Sequence, residues 1–98
     1  MPSSYRYSQV LDIGGRSAFP ALPDVDISTL GMDPRGLSVA CKGSTGDTIE
    51  LSFDGTAVHS RFEIGVVAIR DFPTRWRRVW FRTSGAVVRV IVEAEDYL

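Results

Sequence analysis

Residues 76–94, "WRRVWFRTSGAVVRVIVEA", decide how this chain is read. Two alternating runs flank Ser84-Gly85, a pair suited to a two-residue hairpin turn. Such a hairpin sets Phe81 opposite Val88 and Val79 opposite Val90, with Val92 continuing the apolar row. The opposite face then carries Trp76, Arg78, Trp80 and Arg82 on one strand and Val87, Arg89, Ile91 and Glu93 on the other. Trp80 falls across from Arg89, within reach of cation–π stacking. A solvent face seldom holds two tryptophans, so this surface is expected to be a partner site. The alternative is that another part of the chain covers it, leaving Trp80 in the core and the arginines at its rim.

Upstream, "DTIELSFDGTAVHSRFEI" (47–64) places Asp54-Gly55 between two more alternating runs. That dipeptide is the strongest short-range hairpin signal. A two-residue turn pairs Phe53 with Thr56, Leu51 with Val58 and Ile49 with Ser60, on one face with Phe62. Thr48, Glu50, Ser52, His59 and Arg61 form the polar face. "SYRYSQVLDI" (4–13) reads as a first strand, with Tyr5, Tyr7 and Gln9 opposed to Arg6, Ser8 and Val10. "GLSVACKG" (36–43) is a short strand with Leu37, Val39 and Cys41 on one side, and "GVVAIRDF" (65–72) is a further strand or a connector.

Between the first two strands runs "GGRSAFPALPDVDISTLGMDPRG" (14–36), with three prolines and four glycines. A structureless loop of this length is unusual in a compact domain. It is either an arm that lies across a neighbour or a segment hiding a strand or short helix. No stretch combines 3.6-residue periodicity with caps, so little helix is expected. The fold class predicted is all-β: a small antiparallel β-sandwich or flattened barrel of five to seven strands, one domain over 1–98, with 14–36 as an extended loop or arm.

Composition narrows the function classes. A chain of 98 residues buries only about 60–65% of its unfolded surface, so association is one source of added stability. Net charge is −1, which offers no field to attract nucleic acid or an anionic membrane. Nucleic-acid stacking on Trp76 and Trp80 is further disfavoured by Glu93, Glu95 and Asp96 nearby. Ten arginines to one lysine, and no asparagine, reflect codon bias of a GC-rich genome. Cys41 is the single cysteine, so no intrachain disulfide forms and a reducing compartment fits. The first residues lack the pattern of a signal peptide, and no apolar run reaches the roughly 18 residues of a membrane span.

Catalytic chemistry finds little support. Glu50 and His59 face each other in the predicted hairpin and are the one acid–base pair available, more simply read as a surface pair. Cys41 lies in an apolar strand and reads as core. Asp24, Asp26 and Asp33 suggest calcium only loosely, since no EF-hand spacing is met. "FDGT" has Ser52 where the phosphatase motif needs its nucleophilic aspartate. The chain is expected to be non-enzymatic, with no cofactor and no metal.

Three stretches, "YSQVLDIGG" (7–15), "LSVACKGSTGDTIELSFDGTAVH" (37–59) and "RVWFRTSGAVVRVIVEA" (78–94), resemble the small β-rich structural proteins of tailed bacteriophages. That resemblance implies a virion component assembled in the host bacterial cytoplasm, often in symmetric copies. Such proteins decorate or cement the capsid shell, or attach at tail and fibre junctions. The partners implied are other virion proteins and further copies of the chain, and segment 14–36 would suit an arm reaching a neighbour. The interface residues expected are Trp76, Arg78, Trp80, Arg82 and Arg89, with Phe19, Leu22 and Leu30 in the arm, because tryptophan, arginine and exposed apolar groups anchor interfaces. The rival from another class is a small carbohydrate-binding β-sandwich that stacks sugars on Trp76 or Trp80.

Overall fold

Residues 78–97 are rich in β-branched and aromatic side chains and hold no proline, so nothing in them stops an extended strand. The computed structural model describes residues 4–31, 34–64 and 67–97. Its strands in chain order are β1 (Ser4–Arg16), β2 (Val25–Asp26), β3 (Gly36–Lys42), β4 (Thr48–Ser52), β5 (Ser60–Glu63), β6 (Val67–Phe72) and β7 (Arg78–Tyr97). All pairings are antiparallel. The first part of β7 pairs with β4 and β2, and the rest pairs with β3 and β1. Outside these, β5 pairs with β4 and β6 pairs with β3. The sheet curls about β7 into a half-barrel, and no helix occurs among the described residues.

The predicted Ser84-Gly85 hairpin is corrected: both residues lie inside β7. Phe81 pairs with Leu51 and Val88 pairs with Ile13, not with each other. Between the partners Gly14 and Arg16 of β1, β7 advances from Val87 to Thr83, so β7 carries surplus residues there. Along β7 the core-facing buried positions are Val79, Phe81, Thr83 and Gly85, then Val88, Val90, Val92 and Ala94, while Trp80 is buried on the other side. The inward set changes from odd to even numbers, as a bulge requires. The Thr83 hydroxyl holds the bulge, donating to Thr48 O at 2.7 Å and accepting from Gly85 N at 3.0 Å. Gly85 passes close to Asp47: a Cβ there would lie 2.4 Å from Asp47 Oδ2, so a side chain would have to displace that carboxylate. A two-residue turn and this bulge shift the alternation identically, which is why the apolar row was read correctly and its pairing was not.

Ile49, Leu51, Val79, Phe81, Val88, Val90 and Val92 are fully buried, joined by Ile13, Leu37, Val39 and Cys41. Strand β3 alternates as predicted, and the 67–72 stretch is a strand at the sheet edge. The 47–64 hairpin exists, but with a seven-residue loop (53–59) in place of the tight turn. Leu51 pairs with Ser60 and Ile49 with Phe62, a shift of two residues that keeps the same faces. Gly55 has the positive φ of 82° that a glycine turn needs. The loop is wider because the Asp54 carboxylate accepts from Thr56 N (2.8 Å) and Ala57 N (2.9 Å).

Segment 14–36 lies partly on the chain's own sheet. Gly14, Gly15 and Arg16 finish β1, and Val25 and Asp26 pair with Val79 and Arg78. Val25 and Ile27 are buried, with Asp24 N and Ile27 N donating to the carbonyls of Val79 and Arg77.

Burial in β3 pushes the Cys41 thiol up to about 12. At pH 8 this leaves on the order of a thousandfold less thiolate than an exposed cysteine has. A thiol-specific aromatic disulfide should therefore react with the native chain only at the rate of unfolding, and promptly in denaturant. Prompt labelling of the native chain would show that β3 does not have its cysteine side in the core.

Candidate interaction surface

The Trp/Arg strand is covered by its own chain, which corrects the expectation that both indoles face a partner. Alternation holds for Trp80, which points away from Phe81 and pairs with Ser52. Loop 53–59 then folds back over it: a Cβ on Gly55 would sit 2.9 Å from Trp80 Cε2, so the backbone lies on the ring. Ser52 accepts from Gly55 N at 2.9 Å and donates to Asp54 Oδ1 at 3.0 Å, which fixes the fold-back. Trp80 is left 9% exposed. Its Nε1 is the one buried side-chain nitrogen or oxygen without a hydrogen-bond partner among the described residues. That omission costs about 1–3 kcal/mol, less than the roughly 4–6 kcal/mol that burying an indole contributes as an upper bound.

Trp76 precedes β7 in a bent connector, where strand alternation does not apply. It joins the main core at 4% exposure, and Nε1 donates to Gly36 O at 3.0 Å. Neither ring offers an open face for a sugar, although the two line a surface cleft of about 550 Å³ with Arg75, Arg77 and Arg78 at its rim.

Three arginines at this end pair with acids of the chain itself. Arg78 Nε donates to Asp26 Oδ2 at 3.2 Å, and Arg16 Nη1 donates to Asp24 Oδ1 at 2.8 Å. Asp24 Oδ2 also accepts from Phe81 N at 2.8 Å. Both aspartates are thus spent on fastening segment 17–30 to β7, and Asp33 lies outside the described residues. No cluster of metal-ligating side chains occurs among the described residues. Hydrogen bonds from Ser28, then Arg78, hold the Asp26 carboxyl below its ordinary range. Arg82 donates to Glu50 Oε1 at 2.7 Å and stacks over the Phe19 ring at 4.6 Å from its centroid. Arg82 also holds the Glu50 carboxyl below its ordinary range.

The expected Glu50–His59 pair does not form. Glu50 lies opposite Arg61, while His59 Nδ1 accepts from Phe53 N at 2.9 Å within the loop. Nor does Trp80 meet Arg89, which pairs with Asp12 at 3.1 Å. Of the arm residues, Phe19 is half-buried, whereas Leu22 and Leu30 are 79% and 52% exposed.

A different face is left open. The register places Val10 of β1 beside Ile91 of β7, Ile91 beside Ala40 of β3, and Ala40 beside Ile69 of β6. These four form one apolar row across four strands, on the side opposite Val39, Val90 and Val92. Val10 and Ile69 are 58% and 64% exposed. One step along the strands lies Ser8, Glu93, Ser38 and Asp71; one step the other way lies Asp12, Arg89 and Lys42. Sequence reading placed Ile91 and Arg89 outward but missed this row, because only the strand order brings its members together. The available signal was a small or apolar residue at a solvent-side position of each strand.

No family model matches the chain, and no curated protein matches it. Solved structures share its fold. A chain from Bacillus endospore appendages, a family of disulfide-linked pili, superposes with a TM-score of 0.61 at 14% identity, over 100% of this chain and 91% of that one. A chain of the cyanophage Pam1 capsid gives 0.57 at 11% identity, over 99% and 86%. Tobacco streak virus coat protein gives 0.50 at 8% identity, over 97% and 86%. At such identities the likeness is one of fold.

Two predictions test the covered strand. Gly55→Ala combines a disfavoured backbone conformation with a clash on Trp80. It should lower stability by about 1–3 kcal/mol and red-shift tryptophan emission, read by denaturant titration with fluorescence; an unchanged midpoint would place the loop away from the ring. The second concerns acid. Amides of Thr56 and Ala57, then the Ser52 hydroxyl, hold the Asp54 carboxyl below its usual range. Its stabilisation is therefore complete above the unfolded carboxylate range and is lost as pH falls through the lower folded value. Between about pH 5 and pH 2 the Trp80 environment should open, and Asp54→Asn should flatten that fluorescence transition.

Proposed function

We propose that the chain is a non-enzymatic structural protein of a bacteriophage virion, a capsid decoration or cement subunit that binds other virion proteins. The observation that carries this reading is the presentation of Leu22 and Leu30. Both are exposed apolar side chains on a segment that Arg16, Arg78 and Arg82 fasten to the sheet. An apolar group held outward on an anchored backbone loses little conformational entropy on binding, the property of an interface anchor. Arg78, exposed and paired with Asp26 of that segment, supplies a polar rim. The fold found in a cyanophage capsid and a plant virus coat protein supports the same reading. A tail or fibre-junction position uses the same contacts.

The likeness to disulfide-linked pili is matched less well by the chemistry. Cys41 is the chain's single cysteine and is 1% exposed. Thiol exchange needs an accessible thiolate.

Mass spectrometry of particles produced by the encoding genome should find the chain at a fixed copy ratio to the main shell protein. The Leu22→Asp/Leu30→Asp variant should keep its melting temperature and bind particles at least about tenfold more weakly. Absence from purified particles, or undiminished binding by the variant, would overturn the proposal.

A further inference from the structure

We infer that the outer face of β1, β7, β3 and β6 is a contact with a second copy of this chain, related by a two-fold axis lying along the row Val10, Ile91, Ala40, Ile69. The inference goes beyond the virion reading and does not depend on it.

Three features of the face support it. The row is apolar and solvent-facing, and no loop of the described residues crosses it, in contrast with the Trp80 side. Its flanking charges are also unsatisfied. Lys42 on one side, and Glu93 and Asp71 on the other, form no ion pair among the described residues, whereas Arg16, Arg78, Arg82 and Arg89 all do. Asp12 belongs to the Lys42 side and is occupied by Arg89.

The third feature is the order of these charges. Adjacent rows on one face are about 6.6 Å apart, and neighbouring strands about 4.8 Å apart. A two-fold axis along the apolar row lays that row on itself and exchanges the rows on either side. Lys42 of one copy then arrives over Ser38 of the other, between Glu93 and Asp71, because β3 lies between β7 and β6. Each lysine meets two carboxylates, and the two-fold makes the contact twice. An axis at right angles to the row would lay each flanking row on its own copy, keeping Lys42 away from Glu93 and Asp71. The pattern is thus self-complementary in one orientation, as an isologous dimer requires.

Size sets the strength. Four strands by three rows cover roughly 400 Å² per copy on these spacings, below the roughly 800 Å² per partner of a standard stable complex. The dimer should therefore be weak and salt-dependent in isolation, and multiplied wherever many copies are held together.

Sedimentation equilibrium of the full chain, from on the order of 10 µM to 1 mM, should show reversible dimers that dissociate as salt rises. Lys42→Glu should weaken the dimer at least about tenfold. The triple variant Lys42→Glu/Glu93→Lys/Asp71→Lys, which exchanges the signs across the row, should restore it. Circular dichroism and melting temperature confirm that both variants fold. A chain that stays monomeric throughout, a dimer indifferent to Lys42→Glu, or a triple variant that fails to recover would each overturn the inference. Particle binding is a separate measurement, so failure here leaves the Leu22/Leu30 contact standing.

Discussion

A strand of 20 residues that keeps one side against a core while its sheet curls must change which residues face inward. In β7 that change falls at residues 84–87, where Asp47 fills the space a Cβ on Gly85 would take. Asp47 also accepts from Ser44 N at 3.1 Å and so ties the β3–β4 connection to the same point. On one side of the bend β7 pairs with β2, β4 and the end of β1 at Arg16, and on the other with β3 and the rest of β1. Among the described residues, β1, β2, β3 and β4 are therefore placed by the shape of β7. The strand switch is what lets a single sheet enclose a core without a second layer.

The bend also explains why tryptophan and arginine gather at one end. Before it, the outward side of β7 is short and flanked by two connections, 17–30 and 53–59. Arginine is suited to fastening such connections, since its guanidinium presents several donors and a flat face. Arg16 and Arg78 take the aspartates of the first connection, and Arg82 takes Glu50 while stacking on Phe19. Trp80 fills the floor beneath the second. The residue types that mark hot spots between proteins mark one here within a protein, because desolvation and geometry do not depend on whether the two surfaces share a chain.

This is also where reading residues in order reached its limit. Which side chains point inward on β3, β4 and both halves of β7 followed from alternation, since burial of one face is a local property. What Ser84-Gly85 and Asp54-Gly55 do was not legible. A glycine marks a backbone that must turn, bulge or approach something closely, and the choice is made by groups distant in sequence. For Gly85 that group is Asp47, and for Gly55 it is the indole of Trp80, 25 positions further on. Val25 and Ile27 were hidden for a related reason. Two paired residues give too short an alternation to register, and their burial depends on Asp24 reaching Phe81 N at 2.8 Å.

The two outward sides of the half-barrel therefore differ in a way that composition alone reverses. The side richest in interface-type residues is largely used within the chain: Arg16, Arg78 and Arg82 pair with its own acids, and both rings are covered. The plainer side holds valine, isoleucine and alanine between a lysine and two carboxylates that form no ion pair among the described residues. An unpaired surface charge is unremarkable by itself, and so is one exposed valine. Their arrangement is not: strands from four separate parts of the chain have their apolar members in line and their opposite charges on opposite sides. Folding does not require that alignment, since any polar residue would serve at those positions. A surface that repeats one polarity across four strands without an intrachain use for it is organised toward another surface. The exchange symmetry of its charges makes a second copy of the same surface the simplest match.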